Sequence, residues 1–372
     1  MYLKQLKVHN FKNYKEAGFE LSPKINCFVG DNGEGKTNVL DAVYYLSFCK
    51  SYFNPVDTQN ILHGEDFFAI NGYYDRSEDT TDHISCQLRK NQKKKVKRNQ
   101  KEYDRLADHI GLIPLVMVSP YDRDLINDGS ELRRKYIDGV ISQFNRHYLD
   151  NLINYNKALA QRNSLLKEFA LSGYYDQAAI SIWDARMVPL ARQIYESRKQ
   201  FIGDFIPIFQ KYFEYISEGH ETVSIAYNSQ LHETPFETLL EEGRTKDRAM
   251  RHTTAGIHKD DMDFRIEGHP FKKFGSQGQQ KSFVIAIKLA QFDYISEIKQ
   301  TKPILLFDDI FDKLDEKRVA QLMKLVSKDS FGQVFITDTQ YQRIQQVFNT
   351  VPIDHKIFFI KAGTIEKETN GI

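Results

Sequence analysis

The sequence predicts an α/β fold whose N- and C-terminal segments build one domain around a mainly helical inserted second domain. Three observations predict it. A short apolar strand, Ile25 to Val29, runs into a glycine-rich turn and then into residues with helical spacing. Strand and helix patterns alternate again toward the C-terminus. Between them lies a glycine-poor stretch, about 121–216, with leucines at three- and four-residue steps.

The first residues alternate as a strand through Leu3, Gln5 and Lys7. After Ile25 to Val29 the run Asn38 to Leu46 carries apolar residues at helical spacing, and 55–118 reads as short strands with Gly, Asn and Asp turns. In the helical stretch Leu149, Leu152, Ile153, Leu159, Leu165 and Leu166 recur at three- and four-residue steps. Strands are expected at 223–228 and 262–267, a helix at 279–298, a buried strand at 303–307, a helix at 315–328 and a strand at 333–337. The tail after Lys361 is polar and is expected to be loose. The expected division is 1–120 and 217–372 for the two parts of the α/β domain, with 121–216 as the insertion.

The chain of 372 residues is 41% hydrophobic and 13% aromatic, enough for a sizeable core. No apolar run reaches the roughly 20 residues that span a bilayer. The start lacks a secretory signal pattern, and Cys27, Cys49 and Cys86 have no metal-site or disulfide-framework spacing, so a cytoplasmic setting is expected. The net charge of +1 says nothing about nucleic acid, but charge clusters locally. Lys93, Lys94, Lys95, Lys97 and Arg98 could meet DNA phosphates; charge alone favours the plainer reading, a solvated hairpin edge.

Gly30-Asp31-Asn32-Gly33-Glu34-Gly35-Lys36-Thr37 fits the spacing G-x-x-x-x-G-K-[ST] of a phosphate-binding loop. Glycines let successive N–H groups point at phosphate oxygens, and the helix that follows offers its positive end. Lys36 supplies a charge for β- and γ-phosphates, and the Thr37 hydroxyl is a hard ligand for Mg²⁺. The strand Ile304 to Phe307 ends in Asp308 and Asp309. Their side chains point opposite ways, so Asp308 could hold a magnesium shell while Asp309 polarises an attacking water. An acidic loop capping the next helix is the plainer alternative. Ser276-Gln277-Gly278-Gln279 precedes a helix, where a hydroxyl and a glycine N–H suit a γ-phosphate; a simple N-cap explains the turn equally well.

In this order, these three motifs resemble the ABC-type P-loop ATPase heads of repair and chromosome proteins. Further stretches resemble the RecF family: Phe11-Lys12-Asn13-Tyr14, Ser119-Pro120-Tyr121-Asp122, Arg133-Arg134-Lys135-Tyr136-Ile137-Asp138, Tyr155 to Leu159 with Gln161-Arg162-Asn163, Thr254 with Gly256 to Asp261, and Phe311 to Asp315. Departures are Ile257 and Lys259 for Pro and Arg, Phe53 for Arg, Tyr121 for an acidic residue, and Asp338 in a threonine-rich stretch. No switch residue is assigned near Thr337 and Thr339, and His258 has no assigned role.

The resemblance implies ATP and Mg²⁺ as ligands, with Asp315 in the D-loop. It implies an ATP-dependent homodimer in which Ser276, Gln277, Gly278 and Gln279 cover the nucleotide of the partner copy. It further implies binding to double-stranded DNA near gaps or single-strand/double-strand junctions, and work with RecR, in some settings RecO, to help load RecA. Gap repair, replication restart and SOS induction would follow. The ATPase would be weak, DNA-dependent and used as a switch. A transporter ATPase subunit is disfavoured by the helical insertion, and a degenerate DNA-binding module by the presence of Lys36, Thr37, Asp308 and Asp309 together.

Overall fold

A computed structural model describes residues 1–77, 80–219, 221–310, 316–326, 331–350 and 353–371. Chain contacts divide it into two compact units. Unit 1 is Met1–Asp122 with Ile285–Ile372, and unit 2 is Arg123–Val284. Among the described residues no helix is long and apolar enough to cross a membrane.

Unit 1 holds two sheets. The strands β1 (Tyr2–Phe11), β2 (Tyr14–Glu20), β4 (Phe67–Ser77), β5 (Thr80–Arg89), β6 (Lys95–Arg98) and β7 (Lys101–Glu102) form an antiparallel sheet in the order β2-β1-β4-β5-β6-β7. The second sheet runs β15-β14-β3-β13-β12-β8, from β3 (Ile25–Val29), β8 (Leu115–Val118), β12 (Ile304–Phe307), β13 (Val334–Asp338), β14 (His355–Lys361) and β15 (Thr364–Gly371). Its five central members are parallel and β15 is an antiparallel edge. The polar tail expected to be loose is therefore a strand: β14 supplies the backbone partners that sequence polarity cannot show.

Strands β3, β8, β12 and β13 are buried at every residue, as continuous apolar runs in a parallel sheet covered on both faces should be. The helix Lys36–Phe48 shares one core with both sheets. Phe19 of β2 meets Phe28 and Phe358 with ring centroids 5.7 and 5.6 Å apart. The buried amide of Gln333 accepts from Leu3 N and donates to Leu3 O and Ser22 O, all at 2.8 Å, which joins β1 to the start of β13.

Unit 2 runs past residue 216, where the helical insertion was expected to end, as far as Val284. Among the described residues the strands β9 (Val223–Asn228), β10 (Asp261–Ile266) and β11 (His269–Pro270) pair only with one another, and β10 is tied by Arg133 and Asp261, 2.6 Å apart, to helix Ser130–Ile141. They form a sheet of their own, apart from the two sheets of unit 1. Helices Arg146–Ser172 and Gln177–Ser217 form a long hairpin, turned at Gly173 with φ +72° and capped by Asp176 on Ala179 N.

The motifs between 133 and 261 that pointed to a family meet inside this unit. Buried Arg198 bonds Asp260 at 2.7 Å, Asp138 at 2.8 Å and Ile257 O at 2.8 Å. Buried Arg162 bonds Asp184 at 2.6 Å, Asp247 at 2.7 Å and Thr253 at 2.9 Å. His258 Nε2 donates to Thr253 O at 3.1 Å, leaving Nδ1 to accept from the Tyr155 hydroxyl at 2.8 Å. Burial lowers its pKa to about 4, so it is a neutral structural imidazole.

Candidate nucleotide site

The carboxyl ends of β3, β12 and β13 converge on one edge, where open parallel sheets bind ligands. Register sets the meeting: Phe307 lies opposite Ile336, and Asp338 opposite Val29, one residue before the glycine turn. Asp308 and Thr337 therefore leave their strands side by side.

Two glycines in that turn are dictated by space. Gly30 has φ +155°, and a Cβ there would lie 2.3 Å from Ile360 O. Gly35 has φ +111°, and a Cβ would lie 2.6 Å from the Asn13 amide. Asn13 braces the loop: it donates to Glu34 O at 3.0 Å and accepts from Asn38 at 2.7 Å, while the Tyr14 hydroxyl donates to Gly35 O at 3.1 Å. The Phe11 to Tyr14 motif thus supports the turn from behind, a job its sequence alone did not reveal. Asp31, Asn32 and Gly33 are exposed and Glu34 is half-buried.

Lys36 is buried and curls back, donating to Gly30 O at 2.9 Å and Asp31 O at 2.8 Å. Thr37 Oγ1 donates to Asp308 Oδ1 at 2.7 Å. Thr337 Oγ1 donates to the same oxygen at 2.9 Å and accepts from Asp309 N at 2.9 Å. Thr337 is fully buried and bridges both aspartates. Sequence reading assigned nothing here; the available signal was an apolar strand, Val-Phe-Ile-Thr-Asp, ending level with Asp308. Asp309 sits at φ +44°, in the left-handed region that aspartate tolerates better than most side chains. Asp338 accepts from Gln340 N at 2.7 Å, and burial raises its pKa.

Burial, with the neighbouring Asp309 charge adding to it, pushes Asp308 up to about 6; the Thr37 and Thr337 hydrogen bonds and Lys36 oppose the shift. The sign follows. Between the ordinary carboxylate range and pH 6 the native protein holds a proton that the unfolded chain has lost. Native stability therefore falls as pH rises through that window, and the cost is complete above it. Asp308→Asn is expected to stabilise the nucleotide-free protein at pH 7.5 by on the order of 2–3 kcal/mol. The gain should vanish near pH 4. Thermal melts at both pH values check it, and an equal gain at both rejects the cause.

The adjacent Thr37 hydroxyl and Asp308 carboxylate form a hard-oxygen pair suited to Mg²⁺, an ion that keeps most of its shell for water and phosphate. Among the described residues there is no group of three or more acidic, His or Cys side chains that could hold a metal by protein ligands alone.

The turn Ser276 to Gln279 lies in unit 2. Ser276 N donates to Gln279 Oε1 at 2.7 Å, and Gln279 N donates to Ser276 Oγ at 3.2 Å. This reciprocal capping box starts helix Gln277–Lys299. Ser276 and Gln277 are exposed, and Gly278 and Gln279 half-buried. Asp315 lies outside the described residues.

The basic run divides. Lys94 is bound to Asp57 at 2.7 Å and to the Tyr45 hydroxyl at 3.2 Å, and Arg98 grips Asp82 through two 3.0 Å bonds. Lys93 and Lys95 are exposed and Lys97 half-buried.

The chain is similar to known proteins over nearly its whole length. A family model described as RecF/RecN/SMC N terminal domain matches residues 2–357. The DNA replication and repair protein RecF of Flavobacterium johnsoniae is 52% identical, over 96% of this chain and 99% of its own. A solved structure of the recombination mediator protein RecF-ATPrS in the RecFOR pathway superposes with a TM-score of 0.88 at 28% identity, covering 98% of each chain. The Smc head domain of Pyrococcus furiosus superposes at 0.58 with 17% identity, over 99% of this chain and 96% of that one, a likeness of fold alone.

Proposed function

The chain belongs to the RecF family, and on that premise we propose that it is an ATP-driven DNA repair protein whose nucleotide joins two copies head to tail. The carrying observation is the meeting of Lys36, Thr37, Asp308, Asp309 and Thr337 at one sheet edge. Lys36 would exchange its loop carbonyls for β- and γ-phosphate oxygens. Thr37 and Asp308 would hold Mg²⁺, which supplies charge neutralisation for the phosphates. Asp309 would take the proton of the attacking water, while Thr337 holds both aspartates in place. Ser276, Gln277, Gly278 and Gln279 would close over the partner copy's nucleotide.

The protein would bind duplex DNA at gaps and single-strand/double-strand junctions. It would act with RecR, and in some settings RecO, to help load RecA, serving gap repair, replication restart and SOS induction. The relatives' names and the RecFOR pathway of the similar structure support this reading. Slow hydrolysis, quickened by DNA, suits a switch in the cytoplasm.

The direct test is Lys36→Ala. Loss of the ammonium removes charge-assisted bonds worth about 2 kcal/mol, so ATP affinity should fall roughly 30-fold. Equal affinities by calorimetry defeat the assignment. For DNA, the ATP-bound protein should show a steep, sequence-independent salt dependence. Reversing Lys93 and Lys95 should reduce that slope by about 2 if both meet phosphates. An unchanged slope makes the hairpin a solvated edge.

A further inference from the structure

Unit 1 contains a buried polar chain that the nucleotide chemistry does not use. Lys288 Nζ lies 2.6 Å from Asp122 Oδ1, with both side chains about 5% exposed. The Tyr52 hydroxyl donates to the same carboxylate oxygen at 2.5 Å, and Ser119 N donates to the other at 2.7 Å. Tyr52 N in turn donates to Asp41 Oδ1 at 2.7 Å, and Ser51 Oγ to Asp41 Oδ2 at 2.6 Å. Asp41 lies in the helix that begins at Lys36, and Lys12 sits 2.6 Å from it.

The position of this chain gives it meaning. The backbone leaves unit 1 after Asp122 and returns at Ile285. One ion pair therefore ties the exit to the return. Lys288 also lies within helix Gln277–Lys299, whose first turn carries the signature residues. A continuous run of hydrogen bonds thus connects the P-loop helix to the helix that presents Ser276 to Gln279. An ion pair this deep is poor evidence for stability, because desolvation offsets much of its attraction. Its location calls for another explanation.

We infer that Asp122 and Lys288, joined by Tyr52, are positioning residues that make closure of the signature turn on a second copy depend on nucleotide at the P-loop. The inference rests on the reading that ATP joins two copies. Nucleotide that draws Lys36 and the P-loop helix into place would fix Ser51 and Tyr52 through Asp41. Tyr52 would fix Asp122, and Asp122 would hold Lys288 and the helix that carries it.

Two variants test this without stranding a charge. Tyr52→Phe removes one hydroxyl. Asp122→Asn combined with Lys288→Met removes both charges together. With each, ATP affinity by calorimetry should stay within about twofold of wild type, while ATP-driven dimerisation by light scattering weakens about tenfold, within the usual span of site-to-site coupling. Lys288→Arg, which keeps the charge, should restore most of the dimer. If the double variant does not melt cooperatively, Tyr52→Phe decides. Wild-type dimerisation by Tyr52→Phe, or a parallel loss of ATP affinity and dimerisation, overturns the inference. Wild-type protein that stays monomeric with ATP overturns the dimer reading itself, and this inference falls with it.

Discussion

Asp309→Asn is expected to lower kcat for ATP hydrolysis by about 100-fold or more, with ATP affinity nearly unchanged, because a positioned general base contributes on the order of 10²–10⁴-fold. The amide keeps the size of the side chain and can keep the left-handed backbone at φ +44°, which asparagine also tolerates. The backbone bond from Asp309 N to Thr337 Oγ1 is untouched. The site on Asp308, Thr37 and Lys36 also remains, so the variant should still bind nucleotide. What it loses is a group able to accept a proton from water. Dimers formed with ATP should then persist longer than those of wild type. Single-turnover hydrolysis and light scattering on one sample check both halves. Hydrolysis at the wild-type rate would falsify the role of Asp309 as base.

Ser276→Asp should abolish ATP-dependent dimerisation while leaving the monomer's ATP affinity intact. Ser276→Arg should do the same by bulk. The aspartate is the more incisive change. Ser276 caps helix Gln277–Lys299, and an arginine there would cost about 1 kcal/mol of helix stability. Aspartate caps as well as serine does, so the fold is spared. Yet it brings a carboxylate to the place where the partner's γ-phosphate would sit. Like charges brought together in a closed interface cost several kcal/mol, which is about 100-fold or more in the dimer constant. Light scattering with ATP and Mg²⁺ is the measurement. A normal dimer from Ser276→Asp would mean that the signature turn does not close the interface. Mixing Ser276→Arg with Lys36→Ala leaves one intact composite site and should restore part of the dimer.

The parallel sheet was legible because its strands are buried on both faces and therefore read as short apolar runs. Ile25 to Val29, Ile304 to Phe307 and Val334 to Ile336 could hardly be anything else. The glycine turn was legible because its spacing answers to phosphate chemistry. The sheet partners of two later strands were not. Residues 223–228 and 262–267 announce strands, but alternation cannot say which sheet a strand joins, and the strands found at Val223–Asn228 and Asp261–Ile266 close a sheet of their own. Thr337 was missed because one hydroxyl at a strand end gains its meaning only from Asp308 on the neighbouring strand. Lys94 and Arg98 looked as free as Lys93 and Lys95, since a run of charge does not reveal which members have acidic partners distant in sequence. Arg162 and Arg198 show the same blindness in reverse. Arg162 was read only as part of a family-like motif and Arg198 not at all, yet both are almost wholly buried and pair with carboxylates within unit 2.

The position of β3 at the heart of the parallel sheet has a consequence for how the protein is made. Its two neighbours are β13 and β14, and Ile25 pairs with Val334 and His355. Both neighbours leave the ribosome some three hundred residues after β3 does. At translation rates of about 5–20 residues per second, the strand Ile-Asn-Cys-Phe-Val waits on the order of 15–60 s for a partner. Arg123–Val284 is continuous in the chain and can complete its own core in that interval. The phosphate turn, which packs Gly30 against Ile360 O and accepts a bond from Gly363 N at Glu34 O, cannot. The nascent protein thus carries an apolar strand with both edges open until synthesis is nearly finished, the state in which strands pair with the wrong chain. Its yield in a cell should depend on holdase chaperones that cover that strand more than on the stability of the finished fold.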